Sequence, residues 1–167
     1  MDGAALFAAS VPVFRHYLER TAAIIETAPG PALAHSLQRG AFSAGVHFHT
    51  AQGFVPRALC PLLNRAEPDL GTDAETAAAL LQRHAAVLAF LAPLSPADFT
   101  DAPATITHRA GEATLTQPAA AFLTAYALPN FFFHATAAHQ ALRAYGLPIG
   151  KADFDGFHRY APGTSLV

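Results

Sequence analysis

Apolar residues recur at spacings of three and four over most of the chain, the period of helices that turn one face to a core. In the first such stretch Phe14, Tyr17, Leu18, Thr21, Ile24 and Ile25 fall in register, and Ser10 ahead of Val11-Pro12 reads as an N-cap with proline in the first turn. This predicts a first helix ending near Ala28, beginning either at Ser10 or earlier, near Ala4, with a bend at Pro12. Pro29-Gly30-Pro31 ends it, and residues 31–38 suit a short helical piece before Gly40. A second helix is predicted over residues 46–65, with Phe54, Val55, Leu59, Leu62 and Leu63 as its larger apolar residues and Pro56 and Pro61 kinking or shortening it. Thr72-Asp73-Ala74-Glu75 has the form of a capping box ahead of Leu80, Leu81, Val87, Leu88 and Leu91, which predicts a third helix closed by Pro93 and Ser95-Pro96.

The period then changes. Thr alternates with apolar residues over 104–107 and again over 113–116, on either side of Arg109-Ala110-Gly111-Glu112, the pattern of a small hairpin. A fourth helix opens near Gln117-Pro118, bends at Pro129 and stops at Gly146, where the missing Cβ suits a left-handed C′ position. The expected fold class is all-α: one helical bundle domain over residues 1–167, with the hairpin inserted before helix four.

That fourth helix lies in a stretch without Asp, Glu, Lys or Arg, residues 113–142, yet Asn130 and His134 are set inside it. Such a segment reads as a helix buried on most of its circumference, with a narrow polar seam facing something. Pro118, Pro129, Gln117, Asn130 and His134 interrupt it, so it falls short of the roughly 18 apolar residues that a membrane span needs. With 167 residues and 52% hydrophobic content the chain suits one domain with a substantial core. Ten Lys and Arg against 12 Asp and Glu leave a formal charge of −2, which argues against a nucleic-acid partner. A single cysteine, Cys60, excludes an intrachain disulfide, and the N-terminus lacks the pattern of a secretory signal, so a cytoplasmic protein is expected. With only Arg57 near it, Cys60 reads as an inert buried thiol.

Nine histidines raise the question of a metal. On helix four Asn130, His134, Ala138, Ala141 and Tyr145 share one strip, so small residues leave room beside His134, whereas His139 lies about 140° round the helix. His84 sits in the apolar stripe of helix three and should point inward. His47 and His49 open helix two and, if extended there, face opposite sides, leaving one to turn toward the core. In one reading His134, His84 and one of His47 or His49 meet inside the bundle and hold a divalent ion such as zinc or nickel. In another, the buried histidines are satisfied by hydrogen bonds and the seam lines a pocket for an apolar small molecule, with His134, Asn130, Tyr126 and Tyr17 supplying polar contacts. A third makes the helix faces the interface of a structural dimer. Burial should lower the pKa of His134 and keep it neutral at pH 7, which suits a base. His16, His35, His108 and His158 read as solvated or loop residues. No Gly-rich phosphate loop, paired-cysteine motif or nucleophile elbow is present.

Several segments together resemble a known family. They are Leu6-Phe7-Ala8-Ala9-Ser10-Val11-Pro12-Val13-Phe14, Leu94-Ser95-Pro96-Ala97-Asp98-Phe99, Ala127-Leu128-Pro129-Asn130-Phe131-Phe132-Phe133-His134, Leu142-Arg143, and Gly146-x-x-Ile149-Gly150-Lys151-x-Asp153-Phe154. They resemble an uncharacterised bacterial and fungal domain family of the DinB-like superfamily. The resemblance implies a four-helix bundle with up-down-down-up topology, often dimeric, with a pocket at one end. Better known members of the superfamily bind a divalent metal through one histidine of helix two and a pair four residues apart on helix four, and some are thiol-dependent transferases or isomerases. His134 matches the first of that pair, but Ala138 stands where the second belongs. Relatives carry Phe-Pro-Leu where this chain has His47-Phe48-His49, and Gln52 is retained as a candidate ligand contact. The expectation is therefore a small-molecule pocket centred on His134, in a homodimer, with a metal-dependent transferase, isomerase or hydrolase as the alternative.

Overall fold

Asp2, rather than Ser10, starts the first helix. Its carboxylate accepts from the Ala5 N–H at 2.8 Å, and helix α1 runs without interruption over Gly3–Thr27. Ser10 is an interior residue whose hydroxyl donates to the Leu6 carbonyl at 2.6 Å, and Pro12 lies within the helix, which gives up only the bond of the absent N–H. The computed structural model describes residues 1–71, 75–159 and 161. Helix α2, Gly30–Leu33, is shorter than the piece expected over 31–38. Helix α3 spans Ala44–Leu62 and starts earlier than its apolar pattern suggests, because the Ser43 hydroxyl accepts from the Val46 N–H at 3.2 Å; Pro56 and Pro61 both lie within it.

Helix α4, Ala77–Leu91, is capped by Thr76, which accepts from the Ala79 N–H at 3.3 Å. The capping box expected at Thr72-Asp73-Ala74-Glu75 falls on residues 72–74, outside the described residues. A 3-10 turn over Pro96–Phe99 follows, where the Ser95 N–H and hydroxyl both donate to the Asp98 carboxylate at 2.9 Å. Strands β1 (Thr105–Ala110) and β2 (Ala113–Pro118) pair antiparallel with Thr107 opposite Thr116, and Gly111 takes φ of 61° in the turn.

The fourth long helix is built in three parts: α5 (Ala119–Ala121), a π-helical segment (Phe122–Ala127) and α6 (Leu128–Tyr145). The Leu128 N–H reaches five residues back, to the Leu123 carbonyl. Pro129 sits in the first turn of α6, and the wider turn ahead of it absorbs the loss of its N–H. At the other end Gly146 takes φ of 113°, and the Gly146 and Leu147 N–H groups bond to the Arg143 and Leu142 carbonyls, each at 3.0 Å, closing the helix as a Schellman motif. Helix α7, Lys151–Asp155, follows.

Contacts between the helices fix their directions. The Arg15 guanidinium donates to the Leu91 carbonyl at the end of α4, and Gly3 lies against the Phe99 carbonyl, where a Cβ would come within 2.4 Å, so α1 and α4 run antiparallel. Gly45 lies against Glu75, placing the starts of α3 and α4 side by side. His47 meets His134 and Phe54 meets Tyr126, so α3 and α6 are antiparallel, while Phe14–Phe131 and Tyr17–Phe132 pair α1 with α6 in parallel. The result is the up-down-down-up bundle. One core cluster includes Phe14, Phe54, Leu59, Phe99, Phe122 and Phe131, and a second includes Ile25, Phe48, Leu80, Ala138 and Leu142. Full burial of each such large side chain contributes about 1.5–3 kcal/mol before entropy is counted. The seam between α3 and α6 is the most extensive in the bundle. Among the described residues no helix is long and apolar enough to cross a membrane.

Candidate functional site

The α3–α6 seam brings two of the expected residues together. His47 stands in the first turn of α3 because Ser43 fixes where that helix begins, and His134 lies midway along α6; both are buried. Their Nδ1 atoms are 2.9 Å apart. Two nitrogens so close need one proton between them, so in the neutral pair one ring donates Nδ1–H and the other accepts. The donating ring then carries its lone pair on Nε2, and the accepting ring carries N–H there. Neither Nε2 has a hydrogen-bond partner among the described residues.

Aromatic rings enclose the pair. Phe54 stacks on His134 at 5.7 Å, Phe133 packs edge-on to it at 5.1 Å, and Phe42 contacts His47 at 5.6 Å. Phe54 is buried, whereas Phe42 and Phe133 are 55% and 63% exposed, so the imidazoles lie under a rim of solvent-facing rings. Burial, with the neighbouring His47 and the Arg57 charge adding to it, lowers the pKa of His134 to about 4; burial lowers that of His47 too. Both rings are therefore neutral at pH 7, as the apolar setting of helix four implies. Two hollows border residues of this cluster. One lies at Phe132, Phe133, Thr136 and Ala137, and one of about 540 Å³ includes Arg57, His108 and Arg109.

The remaining candidates serve elsewhere. His84 is buried on α4, where burial lowers its pKa and the Glu19 and Glu26 carboxylates of α1 partly offset that, and its Nδ1 is buried without a hydrogen-bond partner among the described residues. His49 lies about 200° round α3 from His47, because the segment is helical and not extended. The convergence of three histidines does not form: among the described residues no group of three or more His, Cys, Asp or Glu side chains is arranged to hold a metal ion. Gln52 is buried and donates through Nε2 to the Leu80 carbonyl at 3.0 Å, tying α3 to α4, while its Oε1 is buried without a partner. The Asn130 amide nitrogen turns back to the Tyr126 carbonyl at 2.7 Å. Tyr126 packs on Phe54 and His108, and its hydroxyl reaches the Arg109 carbonyl at 3.4 Å, fastening the hairpin to the bundle. Tyr17 packs between Phe132 and Phe154. Burial pushes the Cys60 thiol up to about 11, with Glu67 adding to the shift, so it stays protonated.

Sequence reasoning missed the rim and the hydrogen-bond partners of three histidines. Phe42 lies outside any helix, and no period marks it. His16 and His158, read as solvated, both bond to Asp155, and His108 on β1 bonds to Gln117 at 2.9 Å. Phe54 and Arg57, three apart on a helix, gave the one usable signal: the guanidinium lies 5.0 Å from the Phe54 ring centre.

Residues 6–155 match the model of a domain of unknown function, DUF1993. Among solved structures the chain is similar to a DinB family member protein from Shewanella denitrificans, at 26% identity and a TM-score of 0.78, over 95% of this chain and 96% of that one. No curated protein matches it. All but the first residues of α1, the other three long helices, the hairpin and the paired histidines fall inside the matched span, and the chain belongs to the DUF1993 family, on a DinB-like helical bundle.

Proposed function

We propose that the protein binds a small, largely apolar molecule at the His47–His134 pair, and that the two imidazoles hydrogen bond its polar end and exchange a proton with it. The observation that carries this reading is the Nδ1–Nδ1 contact of 2.9 Å, made under exposed aromatic rings with both Nε2 atoms left without partners among the described residues. A neutral imidazole pair offers one donor and one acceptor to a ligand without paying for a buried charge. With a pKa of about 4, His134 is a weak base, so it takes a proton only from a group that is acidic or becomes so as a bond rearranges. The rings of Phe42, Phe54 and Phe133 suit the apolar body of such a molecule.

A displacement screen with an environment-sensitive apolar dye tests this. Ligands should displace the dye from the wild-type protein, and His134→Ala should weaken them about tenfold, or roughly 1.4 kcal/mol. A variant that binds as tightly as wild type would remove the pair from the site.

The metal-dependent reading draws on one observation, the meeting of a helix-two and a helix-four imidazole. Among the described residues, two neutral donors with Ala138 in the third position leave a tetrahedral ion with two positions unfilled by protein. The residues present do not fit a tightly held ion, and metal analysis of protein purified without a histidine tag should find well under one equivalent. The dimer reading uses the same exposed rings as an interface; it predicts a mass that depends on concentration and no response to ligand.

A further inference from the structure

Resting on the reading of the His47–His134 pair as a ligand site, the geometry points to a class of ligand: a small planar organic acid whose carboxylate is held by Arg57 and Arg109 while its apolar body extends past Phe54 toward the imidazoles. The hollow of about 540 Å³ between α3 and the hairpin is lined by both arginines, by His108 and by a single carboxylate residue, Glu67. This is a local excess of positive charge on a chain with a formal charge of −2. Neither guanidinium pairs with a carboxylate of a described residue. Arg57 lies over Phe54, and the Arg109 Nη2 reaches only the Gly111 carbonyl, at 3.4 Å. His108 bonds through Nε2 to Gln117 and keeps a buried Nδ1 without a partner.

The hollow and the pair are joined by one side chain. Phe54 has the Arg57 guanidinium 5.0 Å from its ring centre and the His134 ring centre 5.7 Å away, so the edge of the hollow and the pair contact the same ring. Guanidinium groups match carboxylates in a planar, two-bond geometry. The same charges would also attract inorganic phosphate, and the test separates the two.

Full-length protein labelled with 15N is titrated with benzoate, with benzyl alcohol and with inorganic phosphate at matched ionic strength, while the backbone amides and imidazole nitrogens are followed. Benzoate is expected to shift the amides at Arg109 and Gly111 together with the His47 and His134 imidazoles, and to bind about tenfold more tightly than benzyl alcohol. Both arginines are exposed, so Arg57→Gln with Arg109→Gln should keep the fold, lower benzoate affinity about tenfold and leave benzyl alcohol unchanged. Equal benzoate affinity in the double variant and the wild type overturns the proposal, as does an anion response confined to the hairpin, with phosphate acting as well as benzoate. If benzyl alcohol still shifts the imidazoles in those cases, the acid-binding idea falls and the histidine pair stands. If no probe shifts the imidazoles, both fall.

Discussion

The histidines around α7 and those at the α3–α6 seam differ in where their hydrogen bonds go. His16 bonds the Asp155 carbonyl at 2.7 Å, His139 bonds the Gly150 carbonyl at 3.0 Å, and the His158 Nδ1 bonds the Asp155 carboxylate. Each is tied to a fixed acceptor of the segment that follows α6; His16 and His139 fasten that segment to α1 and α6, and His158 ties it internally. Among the described residues, His47 and His134 hydrogen bond only each other through their side chains. A count of histidines says little in this chain; the destination of each second nitrogen separates a fastening from a site.

Within the first group, removing the Asp155 carboxylate that holds His158 should have the largest effect. The Asp155 carboxylate is buried and also accepts the Phe157 and His158 N–H groups at 2.9 and 3.1 Å. Asp155→Ala should therefore cost about 3 kcal/mol in urea unfolding and leave ligand binding at the seam intact. Loss of binding in step with stability would show that the two regions are one unit.

Acid should act chiefly on the second group. His134 has a pKa of about 4 when folded against an ordinary 6.5, so the unfolded chain takes up the proton first as pH falls. The stability this contributes is present above about pH 6.5 and is lost toward pH 4, with about 2 kcal/mol lost between pH 7 and 5. Burial shifts His47, His84 and His139 the same way and steepens the slope. Unfolding curves of His134→Gln should be flatter over this range, and an unchanged slope would deny that the imidazole is held neutral. His16→Phe should cost about 1 kcal/mol through its lost bond to Asp155, without altering the acid slope at the seam. Tyr126→Phe should cost less than about 0.5 kcal/mol, since its hydroxyl bond is long, and would sharpen how loosely the hairpin is held.

What could be read from the sequence follows the range of the interaction. The Gly146 stop and the Gly111 hairpin are legible because the backbone conformation they need is decided within a few residues. Ser10 misleads because Ser-x-Pro has the form of an N-cap, whereas its hydroxyl finds an acceptor one turn back within a helix already begun at Asp2. His134 on a mostly buried strip of helix four was legible from the apolar pattern. Its partner was legible only as one of His47 or His49, because His47 lies 87 residues away and its direction depends on Ser43 starting α3 ahead of the apolar period. The rim could not be read, since Phe42 reaches the pair from a loop.

The π-helical segment Phe122–Ala127 makes the bundle tolerant in one place and exacting in another. A turn that holds one extra residue rotates whatever precedes it by about 100° relative to an unbroken helix. The azimuth of the hairpin is therefore set by that surplus residue, while the imidazole strip downstream keeps its own phase. Deleting one residue there would swing the strands round the bundle and carry Arg109 away from Arg57, with His134 left where it is.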